Sequence, residues 1–495
     1  MRAAKIDTQR GLARADLPPH SDAVDLSGLY ASVIGGSSHS KLTLAVAQKI
    51  EESLIADGWP VGRVLGNRET LTNQYGVGRD VLREVFRVLE ARNDARALRG
   101  RHGGLEVVDP SEDQMYATLN GYAYVSMLDR REAIAAWITL NTVAVRLLAA
   151  SGQEIGATIQ RLLAANTHGS SFDSREFCRA LVRSTGSQLL SHLSDCVLSL
   201  LGPASRIPLN AVSCKLLIAT GLDASSSAAH FARALRRMIF TAEAEVLRNQ
   251  PPHARQFSAP RDPPPGTTDS RPMQVVRHLM SQIPPHEWAR GCLLGNEMEL
   301  AERLGFDRSV VRQAIRIMED AETATAIEGR GRGLITRTPG SGPLSRRLCT
   351  LFVSRHIRPA DAEAVFEALK IELAGLAARR ATAEDLSTLE SLTAELAQLE
   401  SGVPVSVVQR FERAQHRAVH NPLLCLFVDA IKAFLSWGMT QELRAPAPVI
   451  VTYKEHTLRV FAAIFARDPI AAANLEYAKL AALRNCREQF CRSLK

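Results

Sequence analysis

Residues 59–105 (WPVGRVLGNRETLTNQYGVGRDVLREVFRVLEARNDARALRGRHGGL) lie over residues 288–334 (WARGCLLGNEMELAERLGFDRSVVRQAIRIMEDAETATAIEGRGRGL) without a gap, at an offset of 229 residues. The identities include Trp59/Trp288, Gly62/Gly291, Gly66/Gly295, Asn67/Asn296, Leu71/Leu300, Gly76/Gly305, Arg79/Arg308, Arg83/Arg312, Arg87/Arg316 and Gly100/Gly329. One shared register over that span is improbable by chance, so the stretch reads as a duplicated module. Copies this far apart are duplicated domains rather than a short-period solenoid.

Within the first copy, Arg68 to Tyr75 reads as a short helix and Gly76 as its break. Arg79 to Ala91 reads as a second helix, with Val81, Val85, Val88 and Leu89 on its buried face. Arg79, Arg83 and Arg87 recur every four residues, which places them in one stripe, and Arg308, Arg312 and Arg316 keep that stripe in the second copy. The chain then enters Ala97-Leu98 and RGRHGG, or Ala326-Ile327 and GRGRG, each followed by LEVV or LIT. These predict two small strands joined by a basic, glycine-rich tip. Helix, break, basic helix and basic hairpin is the layout of a winged helix-turn-helix, whose second helix enters the major groove and whose wing approaches the sugar-phosphate chain. Taken singly, such a stripe is as readily a solvated helix face. The two copies, however, keep the arginine positions and the Gly/Arg tip while neighbouring surface residues differ.

Composition permits this reading without demanding it. The 495 residues suffice for three or four domains. A hydrophobic share of 46% with 23% charged residues is ordinary for a globular chain, and 5% aromatic residues with abundant Ala and Leu favours helix. The net charge of +8 allows a polyanionic partner. Cys178, Cys196, Cys214, Cys292, Cys349, Cys425, Cys486 and Cys491 form no C-x-x-C pair, which argues against a zinc finger and a secreted disulfide framework and points to reduced thiols. The most apolar stretch, Ala133 to Ala150, is interrupted by Thr139, Asn141, Thr142 and Arg146, so no membrane partner is expected. Without an apolar signal core at the start, a cytoplasmic location is expected.

The expected organisation is a disordered tail over 1–40, a first winged helix-turn-helix over 41–110, an all-α domain over 111–248 and a spacer over 249–272. The spacer carries seven prolines in 24 residues. A second winged helix-turn-helix over 273–340 and a second all-α domain over 341–495 follow, so the fold class is mainly α. Leu42 to Ala56 and Gln274 to Ile283 are the entry helices, the latter stopped by Pro284-Pro285. Glu132 to Ala149 and Glu363 to Arg380 share one helical pattern, and Phe177 to Leu201 parallels Gln415 to Leu435 around SQLL and NPLL.

GVGRDVLREVFRVLE and GFDRSVVRQAIRIMED resemble the recognition-helix segment of GntR-type bacterial regulators, with the pattern V-S-R-x-x-V-R-E-A-L-x-x-L-E. ADGWPVGRVLGNRETLTNQYGV resembles the stretch before it in that family. The resemblance implies DNA-binding roles for Arg79, Arg83, Arg308 and Arg312, and wing contacts from Arg101, His102, Arg330 and Arg332. The family's arginine after the S-E pair is replaced by Glu69 and Met298. Residues 59–109 hold nine Arg against seven acids and residues 288–338 eight against eight, so the second head is expected to bind the more weakly.

The helical bodies resemble the effector domain of the FadR-like subgroup (FCD type). Phe411 to Leu424 (FERAQHRAVHNPLL) is similar to its D-x-x-F-H-x-x-L-x-x-x-x-x-N-P-x-L, and EHTLRVFAAIFARDPIAA at 455–472 to its later motif. Many members hold a divalent metal there with an Asp and three His. Here Glu412 replaces the Asp, His416 keeps one His, Thr457 falls at a ligand position with His456 one residue out of register, and the last position falls near Lys479. In the first body the positions hold Ser174 and Cys178. No metal and no other cofactor is therefore expected. His416 and His456 are the candidate effector-binding residues, for a small organic ligand.

The chain is thus expected to be a ligand-responsive transcription regulator reading an imperfect palindrome in double-stranded DNA, as an intrachain pseudo-dimer or a homodimer. The alternative is a sensing or scaffold protein in which only the first head still binds DNA. An enzyme is not expected. GntR-type heads do occur fused to pyridoxal-phosphate aminotransferase-like domains, but these bodies are Lys-poor and helical, with no Gly-rich phosphate loop or nucleophile elbow.

Overall fold

The structure is a computed structural model. It describes residues 42–98, 103–152, 155–165, 167–168, 171–202, 206–208, 228–248, 257, 270–327, 333–398, 405–437 and 446–493. The expected tail at 1–40 and nearly all of the expected spacer at 249–272 lie outside these residues.

The first small unit comprises α1 (Leu42–Ala56), α2 (Arg68–Tyr75), α3 (Arg79–Arg92) and the antiparallel pair β1 (Ala95–Ala97) and β2 (Leu105–Val107). Local sequence dictates each boundary. The Asn67 side chain caps α2 by accepting from Thr70 N at 2.9 Å, and Gly76 ends it in the left-handed conformation at φ 62°. Leu82, Val85, Phe86, Val88 and Leu89 are the buried stripe of α3, while Val81 is only half-buried.

Between the units runs a first helical region. It holds α4 (Glu112–Val125), α5 (Arg130–Ala150), α6 (Ile155–Ala165), β3 (Thr167–His168), β4 (Ser171–Asp173), α7 (Ser174–Ser184), α8 (Gln188–Leu201), β5 (Arg206–Pro208) and α9 (Ala228–Arg248). The three strands form a small antiparallel sheet, which corrects the all-α expectation for this region. The helical period lapses there, and Thr167, Phe172 and Ile207 suit a pleated ladder.

The second small unit repeats the plan. It consists of α10 (Arg271–Gln282), α11 (Pro285–Arg290), β6 (Leu293–Gly295), α12 (Glu297–Leu304), α13 (Arg308–Asp320), β7 (Ala324–Ala326) and β8 (Leu334–Thr336). The α10 helix starts three residues before the expected Gln274, with Pro272 in its first turn where no N–H is needed. Pro284-Pro285 ends it, and Pro285 opens α11. Asn296 caps α12 in a capping box with Glu299, and Gly305 closes it at φ 69°. Side-chain contacts also recur at the same offset. The buried indoles of Trp59 and Trp288 donate to Val108 O (2.9 Å) and Arg337 O (3.1 Å). Glu90 accepts from Ala97 N and Glu319 from Ala326 N, at 3.1 and 3.3 Å.

A second helical region follows, with α14 (Gly342–Ser354), α15 (Pro359–Arg380), α16 (Ala383–Ala397), α17 (Val405–Arg417), α18 (Pro422–Leu435), α19 (Ala447–Phe465) and α20 (Pro469–Ser493). The matched fragments SQLL and NPLL are helix starts: Ser187 caps α8 through Leu190 N and Asn421 caps α18 through Leu424 N, each at 3.0 Å. Both helical regions share one apolar core, in which α5 packs on α8, α9 and α15. Arg146 Nε donates to Glu372 at 2.6 Å and Arg236 pairs with the same carboxylate, tying α5 and α9 to α15. Among the described residues α5 is the one helix long and apolar enough to cross a membrane, and it is mostly buried inside this core.

Candidate nucleic-acid interface

The basic helices α3 and α13 touch near their C-terminal ends. Arg92 closes α3 and is buried; its guanidinium binds Asp320, the last residue of α13, through Nε (3.0 Å) and Nη2 (2.6 Å). Its Nη1 donates to Glu51 of α1 at 2.5 Å, and Thr350 of α14 donates to the other Glu51 oxygen at 3.2 Å. The small units are thereby fixed to each other and to the second helical region. Arg79, Arg83, Arg308 and Arg312 sit at the opposite, N-terminal ends of α3 and α13, and all four are exposed.

Their surroundings differ between the units. Arg79 has no ion pair among the described residues, and Arg83 makes a loose, exposed pair with Asp80 at 3.3 Å. In the second unit Glu297 takes both arginines. Arg312 donates to it through Nε (3.0 Å) and Nη2 (2.8 Å), and Arg308 Nε lies 3.5 Å away. The hydrogen bonds from Arg312 hold the Glu297 carboxyl below the usual carboxylate range and push the Arg312 guanidinium up. The position equivalent to Glu297 is Arg68 in the first unit, exposed and without an ion pair among the described residues. The reading of the sequence missed this exchange, although it was legible as a charge reversal between two aligned positions.

The third arginines of the stripe pair with carboxylates. Arg87 pairs with Glu90 at 2.9 Å; Arg316 pairs with Glu319 at 2.7 Å and reaches Glu84 of the first unit at 3.4 Å. Glu69 and Met298, where the resemblance expects an arginine, are both exposed. Arg101, His102, Arg330 and Arg332 lie outside the described residues.

The second helical region contains a buried polar centre that sequence reading found only in part. Glu412 on α17 is bound by Lys370 Nζ of α15 at 2.5 Å and Lys432 Nζ of α18 at 3.2 Å. Glu476 on α20 is bound by Lys479 Nζ at 2.7 Å, with Lys370 at 3.6 Å, and accepts from Gln415 Nε2 at 3.3 Å. Burial alone would raise the Glu412 carboxyl, but the ammoniums of Lys370 and Lys432 outweigh it and hold it well below its ordinary range. His416 is buried beside them; burial, and then the Lys432 charge, depress its imidazolium strongly, and its Nε2 has no hydrogen-bond partner among the described residues. Thr457 Oγ1 is likewise unpartnered and buried, and His456 is half-buried next to it on α19.

This set does not fit a divalent metal. The carboxylates that would ligate it are occupied by lysine ammoniums, and Lys479 stands near the last expected ligand position. Among the described residues no cluster of three or more His, Cys, Asp or Glu could hold an ion.

Comparison with curated proteins finds no match. Among solved structures the chain is similar to Streptococcus agalactiae GntR, at 20% identity over 43% of this chain and 99% of that chain, with a TM-score of 0.32. It is also similar to E. coli McbR/YncC, at 18% identity over 45% of this chain and 100% of that chain, with a TM-score of 0.23. Within the region where an FCD-type domain is expected, residues 362–481 match the family model described as the FCD domain.

Proposed function

We propose that this chain is a sequence-specific DNA-binding transcription regulator of GntR type, built as a tandem duplication with two winged helix-turn-helix heads. The observation that carries the proposal is the paired geometry of α3 and α13. Each follows a capped short helix, each leads into a two-stranded hairpin, and each exposes two arginines at its N-terminal end. Guanidiniums so placed can bond guanine edges or phosphates in a major groove. The heads differ in sequence, so the operator is an imperfect palindrome and one chain acts as a pseudo-dimer on it.

The FCD match supports a sensing role for the second helical region. Its effector is a small organic molecule, and His416 and His456 remain the candidate binding residues. Contact between α14 and the Glu51–Arg92–Asp320 junction gives such a ligand a route to the heads, provided it binds two arrangements of that junction unequally. The charge reversal between Arg68 and Glu297 favours a second reading in which the first head dominates DNA binding.

A salt-titrated footprint on DNA flanking the gene tests the proposal. Wild type is expected to protect two half-sites, with Arg79→Ala/Arg83→Ala and Arg308→Ala/Arg312→Ala each losing a different one. Protection of one half-site, lost only with the first pair, selects the second reading; no protection at low salt refutes both.

A further inference from the structure

Positions 68 and 297 are equivalent. Each is the first residue of the short helix that precedes a basic helix, directly after a capping asparagine. In the second unit the side chain at this position reaches across the turn to the basic helix, because the Glu297 carboxylate binds Arg312 at 2.8 and 3.0 Å and Arg308 at 3.5 Å. A side chain here is thus within reach of the face that carries both DNA-reading arginines. In the first unit it is Arg68, which is exposed; neither it nor Arg79 has an ion pair among the described residues, and Arg83 is loosely paired with Asp80. Exchanging a carboxylate for a guanidinium changes the local charge by two.

The flanking position does not undo this difference. Met298, exposed in the second unit, adds no charge, and Glu69 in the first is outnumbered by Arg68, Arg79 and Arg83. In this layout the helix before the reading helix crosses the DNA backbone, so a cation at its start meets a phosphate rather than a base edge. A carboxylate at the same place, Glu297, cannot make that contact.

On the reading under Proposed function, we infer that Arg68 is a further DNA-contacting residue of the first unit, a phosphate contact. The two units therefore bind DNA with unequal affinity and unequal salt dependence, the first carrying most of both.

The test uses the full chain and a mixed-sequence double-stranded oligonucleotide, with the dissociation constant measured across a salt series. In an Arg308→Ala/Arg312→Ala background, Arg68→Ala is expected to weaken binding about tenfold and to lower the slope of log affinity against log salt by about one. An unchanged slope after Arg68→Ala overturns the inference while leaving the regulator reading intact. Wild-type chain that binds no DNA at low salt, or binding indifferent to both arginine pairs, overturns the regulator reading and the inference with it.

Discussion

Arg92 and Asp320, the closing residues of two basic helices 228 positions apart, form a buried two-point ion pair with contacts of 3.0 and 2.6 Å. Neither residue occupies the other's equivalent position in the repeat, where Ala321 and Ala91 stand. The pair is therefore a device of the joined chain rather than something each unit carries. Removing one partner strands the other charge in the interior. Asp320→Ala is expected to cost about 3–5 kcal/mol, and Arg92→Met/Asp320→Leu markedly less, because no charge is then left unpaired. Urea unfolding followed by tryptophan fluorescence measures both. Equal losses in the single and double variants would sink this account.

Asp94, beside that junction, titrates the opposite way from Asp320. Burial, and then the Glu51 carboxylate, push its carboxyl up to about 7 against the pull of Arg92 and Arg347. A carboxyl raised in the folded state binds more protons folded than unfolded, so its contribution to stability falls as pH rises between about 4 and 7. Asp320 is held at about 2: burial works against this, and Arg92 prevails. Its stabilisation is present above about pH 4 and is lost as pH falls toward 2. Asp94→Asn is therefore expected to raise the melting temperature at pH 8 and to flatten its decline between pH 5 and 8. Thermal melts at stepped pH check this, and an unchanged slope would contradict it.

The buried centre around Glu412 predicts stability without metal. Lys370 bridges Glu412 and Glu476 from the interior, so Lys370→Met leaves both carboxylates short of a partner and is expected to cost about 3–5 kcal/mol. A chelator is expected to leave the melting temperature unchanged, since ammoniums supply the positive charge. A melting temperature that drops with chelator and recovers with added zinc or manganese would show the opposite.

Much of this architecture was legible in the chain because it is local. The break at Gly76 and most of the apolar stripe of α3 act within one or two turns, as do the caps Asn67, Asn296, Ser187 and Asn421 that the structure adds. Even Arg68–Tyr75 has the expected bounds. What periodicity could not supply was which charged residues meet across distance. Lys370 and Glu476 sit in runs that read as ordinary amphipathic helix, and only the packing of α15, α17, α18 and α20 makes their burial tolerable through mutual pairing. The strands at 167–168, 171–173 and 206–208 were missed because two or three residues carry too little pattern to signal a ladder, and the partner of 171–173 at 206–208 lies more than thirty positions away.

The base of each hairpin is set by a pair of glycines, and this gives the last prediction. A Cβ on Gly104 would stand 2.4 Å from the carbonyl oxygen of Gly66, and one on Gly333 would stand 2.9 Å from the carbonyl carbon of Gly295, where φ of Gly333 is already 97°. Backbone cannot yield as a flexible side chain does, so the hairpin must lift from the start of α2 or α12. Gly104→Ala and Gly333→Ala are each expected to cost about 1–3 kcal/mol through overpacking, with strain adding to the second. Because no charge is removed, they separate hairpin position from electrostatics: if the hairpin acts as a wing, DNA affinity falls while the salt slope falls by less than in the arginine variants. Gly78→Ala, with nothing within 4 Å of the added atom, is the steric control and is expected to cost about 0.5–1 kcal/mol, because Gly78 caps α3 and Ala is the poorer cap. Paired melting and binding measurements on the three variants decide it. Wild-type affinity in a destabilised Gly104→Ala chain would mean that the hairpin of the first unit has no part in binding.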